Sequence, residues 1–147
     1  VSVTDQINEP RYPAFAAMRA ARKKPIDQFG VEDLRIAIGQ NVGTYYLMPR
    51  ALGLLEQTPL VEDYHFPGEL LWSVLKLPVD YWSSYPEHLR RTCHIAQLAL
   101  AEFDKLCERN KAHALKWRGE VLNDKKCLGG AEREVRELAQ DFLTHYQ

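Results

Sequence analysis

The chain has 147 residues, the size of one domain, and its 46% hydrophobic content predicts a buried core. It contains no apolar run near the roughly 20 residues that cross a bilayer, so a membrane-spanning protein is not expected. The net charge of −1 conceals two opposed segments, because residues 11–24 hold five basic residues and no acid, whereas residues 51–88 hold six acids and one lysine. Local fields, more than the net charge, therefore decide which partners approach each surface.

The first residues predict an irregular segment followed by a basic helix. Residues 1–10 are polar and acidic, unlike the basic and then apolar start of a signal peptide, so we expect a cytoplasmic protein. Pro13 fits the first turn of a helix, Phe15 and Met18 lie on its apolar side, and Pro25 ends it. The opposite side is basic. A solvated helix face explains this better than nucleic-acid binding, which requires more charges and interleaved aromatic residues.

Two helices follow, separated by a glycine-flanked corner. Apolar residues at i, i+3 and i+7 predict a helix over residues 31–38. Gly39 and Gly43 bracket a polar turn, where glycine is the usual residue after a helix. Their spacing lacks the preceding strand and the Lys-Ser or Lys-Thr of a phosphate loop, so a helix corner is the interpretation. Thr44 is a candidate cap for the second helix, which Pro49 would kink unless the helix begins near that proline.

The connection over residues 58–67 is the strongest candidate for a functional loop. It holds a cluster of acids and aromatic residues, namely Glu62, Asp63, Tyr64, His65 and Phe66. Loops held on rigid scaffolds often carry binding residues. His65 has no second His, Cys or carboxylate at ligand spacing on a predicted helix, so a surface histidine is favoured over a metal ligand or a catalytic base.

Apolar stripes define the remaining helices. The first stripe is Leu70, Leu71, Val74 and Leu75, and a short helix with Asp80 and Trp82 follows Pro78. A long helix then carries Leu89, Cys93, Ala96, Leu100, Phe103 and Cys107, and its register continues through Asn110, Ala114, Trp117 and Val121. The final helix carries Val135, Leu138, Ala139, Phe142 and Tyr146. The long helix is either continuous or broken near Asn110.

No period-2 strand pattern occurs, so the predicted fold is all-α. We expect a single compact domain over residues 1–147 with about six to seven helices. The helices should be short at first and longer in the C-terminal half.

The three cysteines argue against a disulfide framework. Cys93, Cys107 and Cys127 are odd in number, widely spaced and without a Cys-x-x-Cys pair, which also argues against structural zinc. Cys93 and Cys107 fall on the apolar stripe of the long helix and are predicted to pack as small hydrophobic residues. Cys127 falls in a polar loop and is predicted to be exposed.

The sequence contains no recognisable catalytic constellation. Its histidines are scattered, and the adjacent Cys93 and His94 would point about 100° apart on a helix. Serine nucleophile and dinucleotide-binding motifs are absent. We therefore predict a protein that is not an enzyme, with no catalytic residue, no metal and no cofactor.

Between Phe29 and Trp82 the chain holds an ordered series of short motifs. They are residues 34–43 (LRIAIGQNVG), 46–52 (YLMPRAL), 58–60 (TPL), 66–71 (FPGELL) and 77–78 (LP), followed by Trp82. This series resembles the contact-dependent growth inhibition (CDI) immunity proteins, a family of small bacterial proteins. Glu69 stands where the family pattern has Asp, and Thr58 where it has Asn; both exchanges keep a helix-start acid or a turn former.

The resemblance implies a protein that binds and neutralises the toxin domain delivered by a neighbouring cell's CDI system. Such toxins are often nucleases, including ribonucleases, and their basic surfaces suit the acidic segment 51–88. The predicted toxin-binding residues are Glu56, Glu62, Asp63, Tyr64, Phe66, Glu69 and Asp80. Binding is expected to be one-to-one, without membrane or direct nucleic-acid contact.

The alternative is a helical adaptor or regulatory protein that binds an acidic partner or nucleic acid through its basic first helix. A gene for a large secreted exoprotein immediately upstream would favour the immunity function over the adaptor.

Overall fold

The computed structural model describes residues 25–62 and 65–147, and over these ranges the chain forms α-helices and no strand. After a 3-10 turn at Ile26–Gln28, the helices are α1 (Val31–Gly39), α2 (Thr44–Gln57), α3 (Glu69–Leu75), α4 (Val79–Ser84), α5 (Pro86–Arg118) and α6 (Gly130–Tyr146). The predicted all-α fold, with short helices before long ones, is confirmed. The basic helix predicted before Pro25 lies outside the described residues.

Helix α3 lies at the centre of the core, packed against α1, α2 and α6. Leu70, Leu71 and Val74 have no exposed surface, and Leu75 is also buried, so the predicted apolar stripe is confirmed. The same core receives Leu34 and Ile38 from α1. Because α3 is buried on all these sides, its register fixes the position of the 58–68 connection that precedes it.

Gly68 lets α3 approach α6 closely. Its φ of +89° lies in the left-handed region that residues with a Cβ rarely adopt. A Cβ at this position would also lie 3.0 Å from Cγ1 of Val135 on α6. Glycine is therefore required twice, once by the backbone and once by the packing of the neighbouring helix.

Helix α5 is the longest element, with 33 residues and a length of about 50 Å. Its predicted stripe is buried at Cys93, Phe103 and Cys107. It runs unbroken through Asn110, whose Nδ2 donates a hydrogen bond to the carbonyl of Cys127 at 2.7 Å. The prediction was wrong at the end of the stripe, because Trp117 is exposed and α5 ends at Arg118, before Val121.

A disulfide joins Cys107 of α5 to Cys127 in the connection to α6. The prediction of unpaired cysteines was therefore wrong for these two, and Cys127 is buried and not exposed. The physical reason is that the connection folds back along α5, a path that cysteine spacing does not reveal. Cys93 is free and buried as predicted, and burial raises the pKa of its thiol.

Trp82 joins α4 to α6. Its ring meets Phe142 edge-to-face with 5.4 Å between ring centroids, and it is almost fully buried. In the part of the chain that the structure describes, no helix has both the length and the apolar content needed to cross a membrane.

Candidate functional site

The 58–68 connection is held by local hydrogen bonds and by apolar anchors. The Gly68 amide donates to the Leu60 carbonyl at 3.2 Å, and the Glu69 amide donates to the Phe66 carbonyl at 3.2 Å. Leu60 and Phe66 are half-buried against the core. Glu62 is exposed between these anchors. The predicted site residues Asp63 and Tyr64 lie outside the described residues.

His65 ties the connection to the first turns of α1. Nε2 of His65 lies 3.2 Å from Nη2 of Arg35, which also donates to Oε1 of Glu32 at 2.6 Å. Nε2 of His65 also lies 3.6 Å from Oε2 of Glu32, so this nitrogen faces both a guanidinium donor and a carboxylate acceptor. The hydrogen bond from Arg35 lowers the pKa of the Glu32 carboxyl below its usual value.

Glu69 is buried beneath this polar cluster. One carboxylate oxygen lies within 4.8 Å of ligand-type atoms on both Glu32 and His65. Two carboxylates and an imidazole are a donor set that can bind a metal ion, but the Arg35 guanidinium already occupies the Glu32 carboxylate. The arrangement therefore suits an anchor for the connection. Glu69 is fully buried in this conformation, whereas the sequence prediction places it among the toxin-binding residues.

Glu56 at the end of α2 is paired with α5. Its carboxylate accepts two hydrogen bonds from Arg91, from Nε at 3.3 Å and from Nη2. The hydrogen bonding to Arg91 lowers the pKa of Glu56, with the positive charge as a further cause. The negative charge of Glu56 is therefore compensated locally, and it contributes less to the field outside the molecule than the sequence suggests.

Asp80 lies apart from the 58–68 connection. It is exposed in the first turn of α4, directly before Tyr81. Tyr81 packs on Tyr85 with 4.8 Å between ring centroids, and Tyr85 packs on Tyr45 at 4.8 Å. Tyr45 lies at the start of α2, whereas the 58–68 connection begins at the end of that helix. The helix between them spans about 20 Å, so the structure does not bring all the predicted acids together.

These aromatic rings form a continuous cluster, which we call the tyrosine surface. Its members are Tyr45, Tyr46, Tyr81, Tyr85 and His88. Tyr45 meets Tyr46 edge-to-face at 5.3 Å, and the outer rings are exposed while Tyr81 is buried. This surface was not predicted from the sequence. The spacing of Tyr81, Tyr85 and His88 by four and three residues was a usable signal, but the contact with Tyr45 depends on how α2 packs.

The buried base of the tyrosine surface is fixed by one hydrogen bond. The Tyr81 hydroxyl lies 2.8 Å from Nδ1 of His88. Burial raises the pKa of Tyr81 and lowers the pKa of His88, so both groups are neutral over the physiological range. A hydrogen bond between a neutral phenol and a neutral imidazole holds the two side chains without placing a charge beneath the surface.

The chain matches the model of one protein family, described as CDI immunity proteins, over residues 3–92. The match covers more than half of the chain and includes every predicted toxin-binding residue and the whole tyrosine surface. No curated protein matches the chain, and no solved structure matches it.

Proposed function

The chain belongs to the family of CDI immunity proteins, and we propose that the toxin domain it neutralises is a nuclease that it binds one-to-one. Family membership is the observation that carries this proposal, because it gives the chain an immunity function against a CDI toxin. The nuclease activity of the toxin and the one-to-one stoichiometry are the proposed steps.

The charge of residues 51–88 supports a nuclease as the partner. A nuclease binds a polyanion and therefore presents a basic surface. Within this segment, Glu62, Asp80 and Glu87 are exposed acids, whereas Lys76 is its one basic residue. Electrostatic fields of opposite sign speed the encounter of two proteins and fix their relative orientation.

A protein that inhibits a toxin by covering part of the toxin's surface needs residues that contact the toxin, and it needs no catalytic group. On this proposal, Glu62 and Asp63 meet basic side chains of the toxin, with Tyr64 and Phe66 beside them as aromatic contacts. Glu69 supports the connection from within the core and does not contact the toxin. The affinity should be nanomolar or tighter, about −12 kcal/mol, because small amounts of free nuclease damage the cell.

The experiment uses the toxin domain of the exoprotein gene immediately upstream. Nucleic acid is incubated with the purified toxin domain while the intact chain is added in steps. We expect degradation of RNA or DNA by the toxin alone and complete protection at a one-to-one molar ratio. A toxin domain that binds the chain but degrades neither nucleic acid would overturn the nuclease assignment, and an endpoint at another ratio would overturn the stoichiometry.

A further inference from the structure

The tyrosine surface leaves large parts of two aromatic rings exposed to solvent. Tyr46 is 71% exposed and Tyr45 is 49% exposed, and Val79 nearby along the chain is also exposed. Tyrosine is enriched among the residues that dominate binding energy at protein interfaces, and large exposed apolar groups often mark interaction sites.

The rings are held in place before any partner arrives. Tyr45 contacts Tyr46, Tyr85 and His88, with ring centroids 5.3, 4.8 and 5.8 Å apart. Beneath them, the hydrogen bond between Tyr81 and His88 fixes the base. Side chains that are already ordered lose little conformational entropy on binding, so their contact area contributes more fully to affinity.

The charges around the rings favour a cationic partner. Asp80 and Glu87 are exposed in the first turns of α4 and α5, where they also offset the partial positive charge of the helix ends. Of the nearby arginines, Arg91 is engaged by Glu56, and Arg90 lines a separate cleft with Cys93, His94 and Tyr146.

Two features provide places for cationic side chains. The open faces of tyrosine rings attract guanidinium and ammonium groups. In the described part of the chain, lysines lie over Trp72 and Trp117 and no lysine or arginine is recorded over the tyrosine rings. Pro49 within α2 has no N–H to donate to the carbonyl of Tyr45, so the helix supplies no i+4 donor to that acceptor.

We propose that the tyrosine surface is the docking face for the toxin domain and that arginine or lysine side chains of the toxin stack on Tyr45 and Tyr46. This inference rests on the proposed function, since it assigns a position to the contact with a basic toxin. Asp80 on α4 and Glu87 on α5 supply charge of the opposite sign to these cations.

A second exposed apolar group offers the natural comparison. Leu115 and Trp117 lie at the end of α5, and Trp117 is 67% exposed. Lys116 lies over the Trp117 ring at 5.1 Å, so that ring already has a cation from its own chain. This group also lies outside the family-matched residues 3–92, whereas the tyrosine surface lies within them. Trp117 is therefore a matched control residue rather than a competing docking face.

The test compares three variants of the intact chain in binding to the toxin domain encoded upstream. Tyr45→Ala with Tyr46→Ala removes both exposed rings, Tyr45→Phe with Tyr46→Phe keeps the rings without hydroxyl groups, and Trp117→Ala removes an equally exposed aromatic ring elsewhere. We expect the alanine pair to weaken binding at least about 30-fold, the range of interface hot spots. The phenylalanine pair and Trp117→Ala should remain within about threefold of the unaltered chain. Thermal unfolding of each variant establishes that the fold is retained.

The outcomes separate the two proposals. If the unaltered chain and the alanine pair bind equally well, the docking face is overturned and the immunity proposal stands. A phenylalanine pair as weak as the alanine pair would assign the affinity to the hydroxyl groups and overturn the stacking of cations on the rings. If the unaltered chain does not bind the toxin domain, the proposed function fails, and this inference fails with it.

Discussion

Leu71 lies in the middle of α3, with none of its surface exposed. Truncation of such a side chain loses its transfer free energy and leaves a cavity that the three surrounding helices fill only in part. Leu71→Ala should lower the free energy of unfolding by about 2–5 kcal/mol, measured by urea denaturation. Leu115→Ala is the control, because Leu115 is exposed on α5 and should change stability by less than about 0.5 kcal/mol. A change that small at Leu71 would place α3 on the surface.

His88 makes the stability of the chain depend on pH. Burial, and next the positive charge of Arg91, lowers the pKa of His88, whereas Glu87 opposes the shift. The unfolded chain therefore takes up a proton at a pH where the folded chain does not. The contribution of His88 to the free energy of unfolding is therefore highest above about pH 6.5, and it falls as the pH is lowered from there.

His88→Gln should remove this contribution. Urea denaturation between pH 8 and pH 5.5 is expected to show a shallower fall for the variant than for the unaltered chain. The other histidines are common to both proteins and cancel in the comparison. The lowered pKa values of Glu32 and Glu56 affect stability only at more acidic pH, as the pH falls below the ordinary carboxyl value of 4.5. An equal slope for both proteins would mean that His88 titrates alike in the folded and unfolded chain.

At the level of elements, the disulfide fixes the path of the connection between α5 and α6. Cys107 and Cys127 are 20 residues apart, and Nη1 of Arg136 on α6 contacts the Cys107 sulfur at 3.3 Å. Disulfides are typical of oxidising compartments and rare in the cytosol. The bond and the expectation of a cytoplasmic protein therefore point in different directions, and the thiol content of the purified chain shows whether the bond is present in the isolated protein.

The disulfide should stabilise the oxidised chain. Closing a loop of this length restricts the unfolded state by about 3 kcal/mol in the chain-entropy model. We expect urea denaturation to give a free energy of unfolding lower by about that amount after reduction. Alkylation under denaturing conditions should label Cys93 alone in the oxidised chain and all three cysteines after reduction. Three labelled cysteines without reduction would show that the bond does not form.

The spacing of apolar residues predicted the helices whose buried faces it marks. It failed where the burial of a residue depends on contact with a segment distant in the sequence. The α3 stripe was predicted correctly because its four apolar positions lie on one face of the helix, and that face is buried. Trp117 was placed in the core because the heptad register continued, yet its side chain is 67% exposed near the end of α5. Glu69 was read as a surface acid, since sequence alone does not show that α1 and His65 cover it. The pairing of Cys127 and the contact of Tyr45 with Tyr85 likewise depend on the packing of distant segments.

At the scale of the whole molecule, the acidic connection and the tyrosine surface lie at opposite ends of α2, about 20 Å apart. A protein–protein interface of ordinary size buries about 800 Å² on each partner and is roughly 30 Å across. An interface of ordinary size is therefore wide enough to span the distance between the two surfaces. The two would then have different roles, with the rings providing most of the affinity and the exposed acids directing the approach.

The connection should contribute mainly to the rate of association. Glu62→Lys with Asp63→Lys replaces two acids beside the toxin by two bases. We expect slower association with the toxin domain at low salt and a weaker dependence of the rate on ionic strength, measured by stopped-flow fluorescence. At about 1 M salt, where the screening length is about 3 Å, the association rates of the variant and the unaltered chain should converge.

Asp104→Lys with Glu108→Lys makes the same change of charge at a distant position. Both acids are exposed on α5, and Asp104 lies about 20 Å along the helix from Arg91, the partner of Glu56. Since exposed charges are screened within about 10 Å at 0.1 M salt, this pair should slow association much less. Equal slowing by both pairs would mean that net charge alone steers the toxin. Unchanged rates with the Glu62 and Asp63 pair would instead place the connection outside the path of approach and leave the tyrosine surface as the proposed contact.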